Sequence, residues 1–157
     1  ESTAARALPE ACAAVKAAPP MSATPSDTPV PRRFMPSGPL RGRIRVPGDK
    51  SISHRALMFS ALAIGRSRIS GLLEGEDVLA TAAALRAMGV TIACDESDWI
   101  VDGVGVGGFL QPQAALDMGN SGTSTRLLMG LLASQAITAV FTGDASLSRR
   151  PMNRVIE

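Results

Sequence analysis

The sequence predicts an α/β fold assembled from a repeated β-α-β-α-β-β unit, on three observations. Short β-type runs alternate with longer stretches of helical period. Glycines punctuate those runs, with 14 of the 15 Gly at Gly42 or beyond. Two turn-to-helix segments also echo one another: Ser51 leads to Arg55, Leu57 and Met58, and about 70 residues later Ser121 leads to Arg126, Leu128 and Met129.

Residues 43–46 alternate and stop at Pro47-Gly48, which reads as a first strand. Residues 53–64 read as a helix with Ala56, Leu57 and Leu62 on its apolar face and Gly65 as its stop. Residues 68–72 suit a second strand. Glu76 and Asp77 favour a helix start through the helix dipole, and Gly89 ends that helix after Met88. Residues 90–94 and 99–101 are strands around a turn at 95–98, and a glycine-rich loop at 103–108 closes the unit. The second unit opens with a strand at 115–117, a turn at Gly119-Asn120-Ser121-Gly122, a helix at 123–133 and a strand at 137–142. Pro151 opens a further helix at its preferred first position. The second copy breaks off at Glu157, so the sequence reads as a fragment of about one and a half units. Its first residue is Glu1, which puts the start codon at Met21, at Met35 or upstream.

A length of 157 residues and 16.2 kDa corresponds to one ordinary domain. Eight of the 11 Pro lie in 1–39, which is read as an Ala/Pro-rich leader expected to be disordered. No charged n-region precedes a clean apolar core, which argues against a signal peptide. A net charge of +2 and an aromatic content of 3%, with no Tyr, argue against nucleic-acid binding. No apolar run approaches the ~18 residues of a membrane span. The two cysteines, Cys12 and Cys94, are too few for a disulfide framework and lack a CxxC or His-cluster partner, so a reducing, cytoplasmic setting is the reading.

The richest segment is Gly48-Asp49-Lys50-Ser51-Ile52-Ser53-His54-Arg55. It joins a strand to a helix start, where free N–H groups and the dipole favour an anion. Lys50 and Ser51 sit at that start and Arg55 lies one turn on from Ser51, so all three can converge on a phosphate or carboxylate. A Ser-capped helix with incidental cations explains the segment about equally well. The nucleotide P-loop, Gly-x-x-x-x-Gly-Lys-Ser/Thr, is not satisfied, which disfavours a kinase. Asn120-Ser121-Gly122-Thr123 repeats the arrangement, with Gly122 letting a ligand approach the backbone, although capping alone accounts for such motifs more often. Arg149 and Arg150 precede Pro151, where two cations oppose the dipole unless an anion is bound. His54, the only histidine, reads as a packed or helix-surface residue. Glu74, Glu76 and Asp77 read as a dipole-favoured helix start in preference to a metal site.

These segments, with Leu73-Glu74-Gly75-Glu76-Asp77, Asp117-Met118-Gly119-Asn120-Ser121-Gly122-Thr123 and Thr142-Gly143-Asp144-Ala145-Ser146-Leu147 leading to Arg149-Arg150-Pro151-Met152, resemble the 3-phosphoshikimate 1-carboxyvinyltransferase (EPSP synthase) family, in its class II bacterial style. The resemblance runs from about Leu40 to the last residue. It implies an inside-out α/β fold of two domains, each built from three β-α-β-α-β-β units. Residues 40–157 would then be the first, incomplete part of the transferase, with 40–47 a strand of the second domain. The implied reaction transfers the enolpyruvyl group of phosphoenolpyruvate to the 5-hydroxyl of shikimate 3-phosphate, releasing phosphate, on the route to chorismate and the aromatic amino acids. The resemblance implies that Lys50, Ser51 and Arg55 hold shikimate 3-phosphate and that Lys50, Gly122 and Arg150 contact phosphoenolpyruvate beside Asn120, with Lys50 also catalytic. It implies no cofactor and no metal, small-molecule partners only, a monomer when complete, and inhibition by glyphosate because Gly122 is retained. The family's acid/base carboxylates lie downstream, so the fragment alone is expected to be inactive. Ser121 stands where the family commonly has Ala. The sister transferase acting on UDP-N-acetylglucosamine, which has Asn at the position of Ser51, and a non-catalytic anion-binding module are the alternatives.

Overall fold

The structure, a computed structural model, describes residues 31–95 and 97–156, in two units, Glu1–Val46 and Pro47–Glu157. Residues 31–46 are exposed and form no helix or strand. The strand expected at 43–46 is therefore not formed: a strand's N–H and C=O groups need a neighbour, and among the described residues none pairs with these. Most of the leader expected at 1–39 lies outside the described residues.

The first helix of the second unit is capped by Asp49, whose backbone is extended and whose Oδ1 accepts the Ile52 N–H at 2.7 Å. This helix, α1 (Lys50–Leu62), starts three residues before the expected 53 because its first turn is held by the cap and not by burial. Its inner face buries Ser53, His54, Leu57, Met58 and Ala61. Gly65 does not stop it. The chain becomes extended at Ala63, and Gly65, at φ 96°, lies inside β1 (Ile64–Ser70). α2 (Glu76–Ala87) carries Glu76 and Asp77 in its first turn and buries Val78, Thr81, Ala82, Ala84 and Leu85. Gly89 then supplies the left-handed residue, φ 91°, that turns the chain into β2 (Thr91–Asp95). β3 (Asp98–Val104) returns antiparallel to both other strands in the order β1-β3-β2.

Period-two alternation on β3 buries Trp99 and Val101, which join α1 and α2 in one core with Leu57, Val78, Leu85 and Met88. Burial of each such side chain stabilises the fold by roughly 1.5–3 kcal/mol. Trp99 is held from two sides: its Nε1–H donates to Glu74 Oε1 at 2.9 Å, and the Arg86 guanidinium lies 5.6 Å from the ring centre.

The second repeat is shorter. β4 (Leu116–Asp117) and β5 (Phe141–Thr142) pair in parallel, and β5 falls well short of the expected 137–142. The Gln111 side chain takes the place of strand there: Oε1 accepts the Thr138 N–H at 2.9 Å, and Nε2 donates to the Thr138 carbonyl. Between β4 and β5 runs α3 (Gly122–Leu132), which sends Leu128 and Leu132 into the same core. A 3-10 turn (Leu147–Arg149) and a single helical turn, α4 (Asn153–Ile156), follow.

One expectation needs correction. Arg149 and Arg150 do not open a helix: Arg149 ends the 3-10 turn and Arg150 caps its C-terminal end, where cations suit the dipole. Among the described residues no helix is long and apolar enough to cross a membrane.

Candidate functional site

The first cluster grows from the start of α1. Lys50 and Ser51 occupy its exposed first turn, and Arg55, one turn on, donates from Nη1 to the Ser51 carbonyl at 3.0 Å. Lys50 Nζ is ion-paired with the Asp77 carboxylate at the start of α2. The dipole reading of Asp77 missed this pairing, although opposite charges at two neighbouring helix starts were visible in the sequence.

The second cluster surrounds the start of α3. Asp117 Oδ1 accepts the Gly119 N–H at 2.9 Å, and Gly119, at φ 53°, turns the chain so that Asn120 and Ser121 precede the helix. Ser121, fully buried, caps α3 by accepting the Ser124 N–H at 3.3 Å. Gly122 follows at the first helical position. A Cβ there would sit 3.0 Å from Arg150 Nη1 and 3.3 Å from Arg126 Nη1, so the missing side chain admits guanidinium groups to the helix end. Arg150 Nη2 donates to Asn120 Oδ1, and Asn120 Nδ2 donates to Asp144 Oδ2 at 2.6 Å. Asp144 thereby fixes which way the Asn120 amide points. Its Oδ1 accepts the Leu147 N–H at 2.7 Å. The Leu147 N–H first, then Asn120, hold the Asp144 carboxyl below the usual carboxylate range. The sequence reasoning missed Asp144, whose partners lie 24 positions away and in its own following turn. Arg126 is structural, donating from Nη2 to the Pro151 carbonyl at 3.1 Å.

Gly122, Asn120 and Arg150 are thus brought together, and Lys50, Ser51 and Arg55 are brought together. The clusters connect through Asp77, whose carboxylate holds Lys50 and whose carbonyl accepts from Ser124 Oγ of α3 at 3.2 Å. The two helix starts thus carry the cationic side chains of Lys50, Arg55 and Arg150, with a charged cap at α1 and a neutral one at α3.

The sequence model of the family described as EPSP synthase (3-phosphoshikimate 1-carboxyvinyltransferase) matches residues 34–157. The chain belongs to the EPSP synthase family. The 3-phosphoshikimate 1-carboxyvinyltransferase of Novosphingobium aromaticivorans is 72% identical over 128 residues, covering 81% of this chain and 29% of that protein. The enzyme of the same name from Sphingopyxis alaskensis is 71% identical over 131 residues, 83% of this chain and 29% of the relative. A solved structure of EPSP synthase from Acinetobacter baumannii matches with a TM-score of 0.68 at 54% identity, over 72% of this chain and 26% of that one. The fold is accordingly the inside-out α/β fold of the EPSP synthases. The chain spans less than a third of the length of the relatives it matches.

Proposed function

We propose that the chain forms part of an EPSP synthase, which transfers the enolpyruvyl group of phosphoenolpyruvate to the 5-hydroxyl of shikimate 3-phosphate and releases phosphate. The observation that carries this reading is the junction of Gly122, Asn120 and Arg150 at a neutrally capped helix start, in a chain of that family. Residues 40–157 are the first part of the transferase, with 40–47 contributing to the second domain. The complete enzyme acts as a monomer in the cytoplasm on small molecules alone.

Both substrates carry a phosphate and a carboxylate. On this reading Lys50, Ser51 and Arg55 receive shikimate 3-phosphate, while Lys50, Gly122 and Arg150 receive phosphoenolpyruvate beside Asn120. Helix-terminal N–H groups and a guanidinium fork suit such anions. Lys50, between the two, offsets charge on both and draws the hydroxyl and the enol carbon together, which is where positioning and charge stabilisation lower the barrier. Lys50 must leave Asp77, so substrate binding exchanges one counter-ion for another.

The test is phosphate release by a complete enzyme carrying this segment, given phosphoenolpyruvate and either shikimate 3-phosphate or UDP-N-acetylglucosamine. Turnover with shikimate 3-phosphate only is expected, competitively inhibited by glyphosate. Turnover with the nucleotide sugar would overturn the reading in favour of the sister transferase. Phosphate binding without turnover would leave an anion-binding module.

A further inference from the structure

His54 is fully buried in the second turn of α1, and nothing in the proposed reaction uses it. Three helices meet at its ring. Nδ1 lies 2.8 Å from Thr81 Oγ1 of α2 and 3.3 Å from Ser124 Oγ of α3. The Thr81 hydroxyl reaches Ser124 Oγ at 2.8 Å, and the Ser124 and Ser121 hydroxyl oxygens are 2.5 Å apart. Thr81 and Ser124 each also approach the Asp77 carbonyl at 3.2 Å. One continuous polar chain therefore runs from the residue that holds Lys50 to the cap residue preceding Gly122.

The direction of that chain follows from proton counting. Nε2 is buried and has no hydrogen-bond partner among the described residues. A buried N–H without an acceptor is the rarer and costlier defect, so the ring proton belongs on Nδ1 and Nε2 keeps its lone pair. Nδ1–H then donates to Thr81, the Thr81 hydroxyl to Ser124 along the 2.8 Å contact in preference to the 3.2 Å one to the Asp77 carbonyl, and the Ser124 hydroxyl to Ser121 or the Asp77 carbonyl. Each hydroxyl has one proton to give, so the order runs from α1 through α2 to α3. Charging the ring would bury a second N–H without a partner. Around it, Asp77 of α2 favours the charged form, Lys50 and Arg55 of α1 oppose it, and α3 presents the Ser124 hydroxyl. Burial outweighs Asp77, and the ring is held below the ordinary imidazole range.

We propose that His54 is a positioning residue: as a neutral ring donating from Nδ1, it sets, through Thr81 and Ser124, the register of the α3 start with Gly122 against the Lys50–Asp77 pair. Only the further statement that this register spaces the two substrates rests on the EPSP synthase reading.

His54 is the only histidine in the sequence, so the ring nitrogen signals of the 157-residue chain identify themselves in an NMR spectrum. The ring should be neutral, with its proton on Nδ1, at about pH 6.5, where an ordinary imidazole is half charged. Thr81→Val keeps the volume and removes the middle hydroxyl. It should speed amide exchange at Ser124 and Thr125 about five- to tenfold, the equivalent of one lost hydrogen bond, while the β1-β3-β2 amides keep their rates. Ser124→Ala should give the same local signature and stands in if Thr81→Val does not fold. A proton on Nε2, a charged ring, unchanged exchange at α3, or equal acceleration in the sheet would each overturn the proposal, and the ring spectrum of the unaltered chain decides even if neither variant folds. No substrate enters these readouts, so failure of the EPSP synthase reading appears separately, as absent phosphate release.

Discussion

At the start of α1 the cap is an exposed carboxylate, Asp49, whereas at the start of α3 it is the buried hydroxyl of Ser121. Both caps satisfy a free N–H of the first turn, yet their electrostatic consequences differ. A carboxylate places a full negative charge against the positive end of its helix and neutralises what an anion would seek. On the proposed reading, recognition at α1 is therefore left to the side chains of Lys50, Ser51 and Arg55. A neutral cap leaves the end of α3 positive, and Gly122 clears the space through which Arg150 reaches it. On the proposed reading, two copies of one supersecondary unit serve as a side-chain site and a backbone site.

The largest expected effect breaks the side-chain site. In a complete enzyme, Lys50→Met should lower kcat/KM for both substrates on the order of a hundredfold, as when one partner of a charge pair is removed from a closed site. In the chain alone the same change should alter stability by less than about 1 kcal/mol, because the Lys50 side chain is 51% exposed. Steady-state kinetics beside denaturant unfolding separates the two, and near-normal kinetics would remove Lys50 from the site. Next, Arg150→Ala should raise the KM for phosphoenolpyruvate roughly tenfold and leave that for shikimate 3-phosphate nearly unchanged, the loss of one charge-assisted contact. Equal effects on both substrates would merge the two clusters into one.

The caps supply a smaller test. Asp49→Ala and Ser121→Ala should each cost about 1 kcal/mol in urea unfolding. Asp49→Asn, which keeps the capping oxygen and removes the charge, should cost only a few tenths while tightening inorganic phosphate binding at α1 by calorimetry. Unchanged phosphate affinity would show that the cap charge does not shield the helix end.

The smallest effect is on pH. His54, lowered by burial, contributes nothing to pH dependence well above about pH 6.5, where folded and unfolded rings are both neutral; stability falls as pH drops through that value toward its lowered folded one. Asp144, also lowered, adds stability that is present above about pH 4 and is lost as pH falls through its depressed value. Tm against pH should therefore show an upper step abolished by His54→Asn and a lower one diminished by Asp144→Asn. A profile flat from pH 7 to pH 5 would contradict the buried neutral ring.

Local signals made much of this legible. The Glu76-Asp77 start and Gly89 stop of α2 were readable because dipole and left-handed backbone act within one turn, and the strand that holds Trp99 and Val101 was readable from the turn before it. Lys50, Ser51 and Arg55 fell together because they share a helix start. The first turn of α1 escaped the apolar pattern because it is secured by Asp49, a hydrogen bond without burial. Residues 43–46 alternate as a strand should, but alternation cannot supply the neighbour a ladder requires. The hydroxyl chain joining His54 to Ser124 spans 70 positions, and no periodicity encodes a contact of that range. Asp144 was hidden for the same reason: its value lies in the Asn120 amide that it orients.

On the face of the sheet opposite Trp99, Arg66 grips Asp102 through Nε at 2.7 Å and Nη2 at 2.9 Å, and Arg68 donates from Nε to Asp98 at 2.5 Å. Each pair adds little to stability, being exposed. Its consequence is colloidal. Among the described residues β1 borders the sheet, and a strand docking there would have to lie alongside two guanidiniums already committed to carboxylates of the sheet itself. The charge ladder thus disfavours edge-to-edge stacking of copies, and replacing Arg66 and Arg68 with Val would turn the same strand into a seed for fibrils.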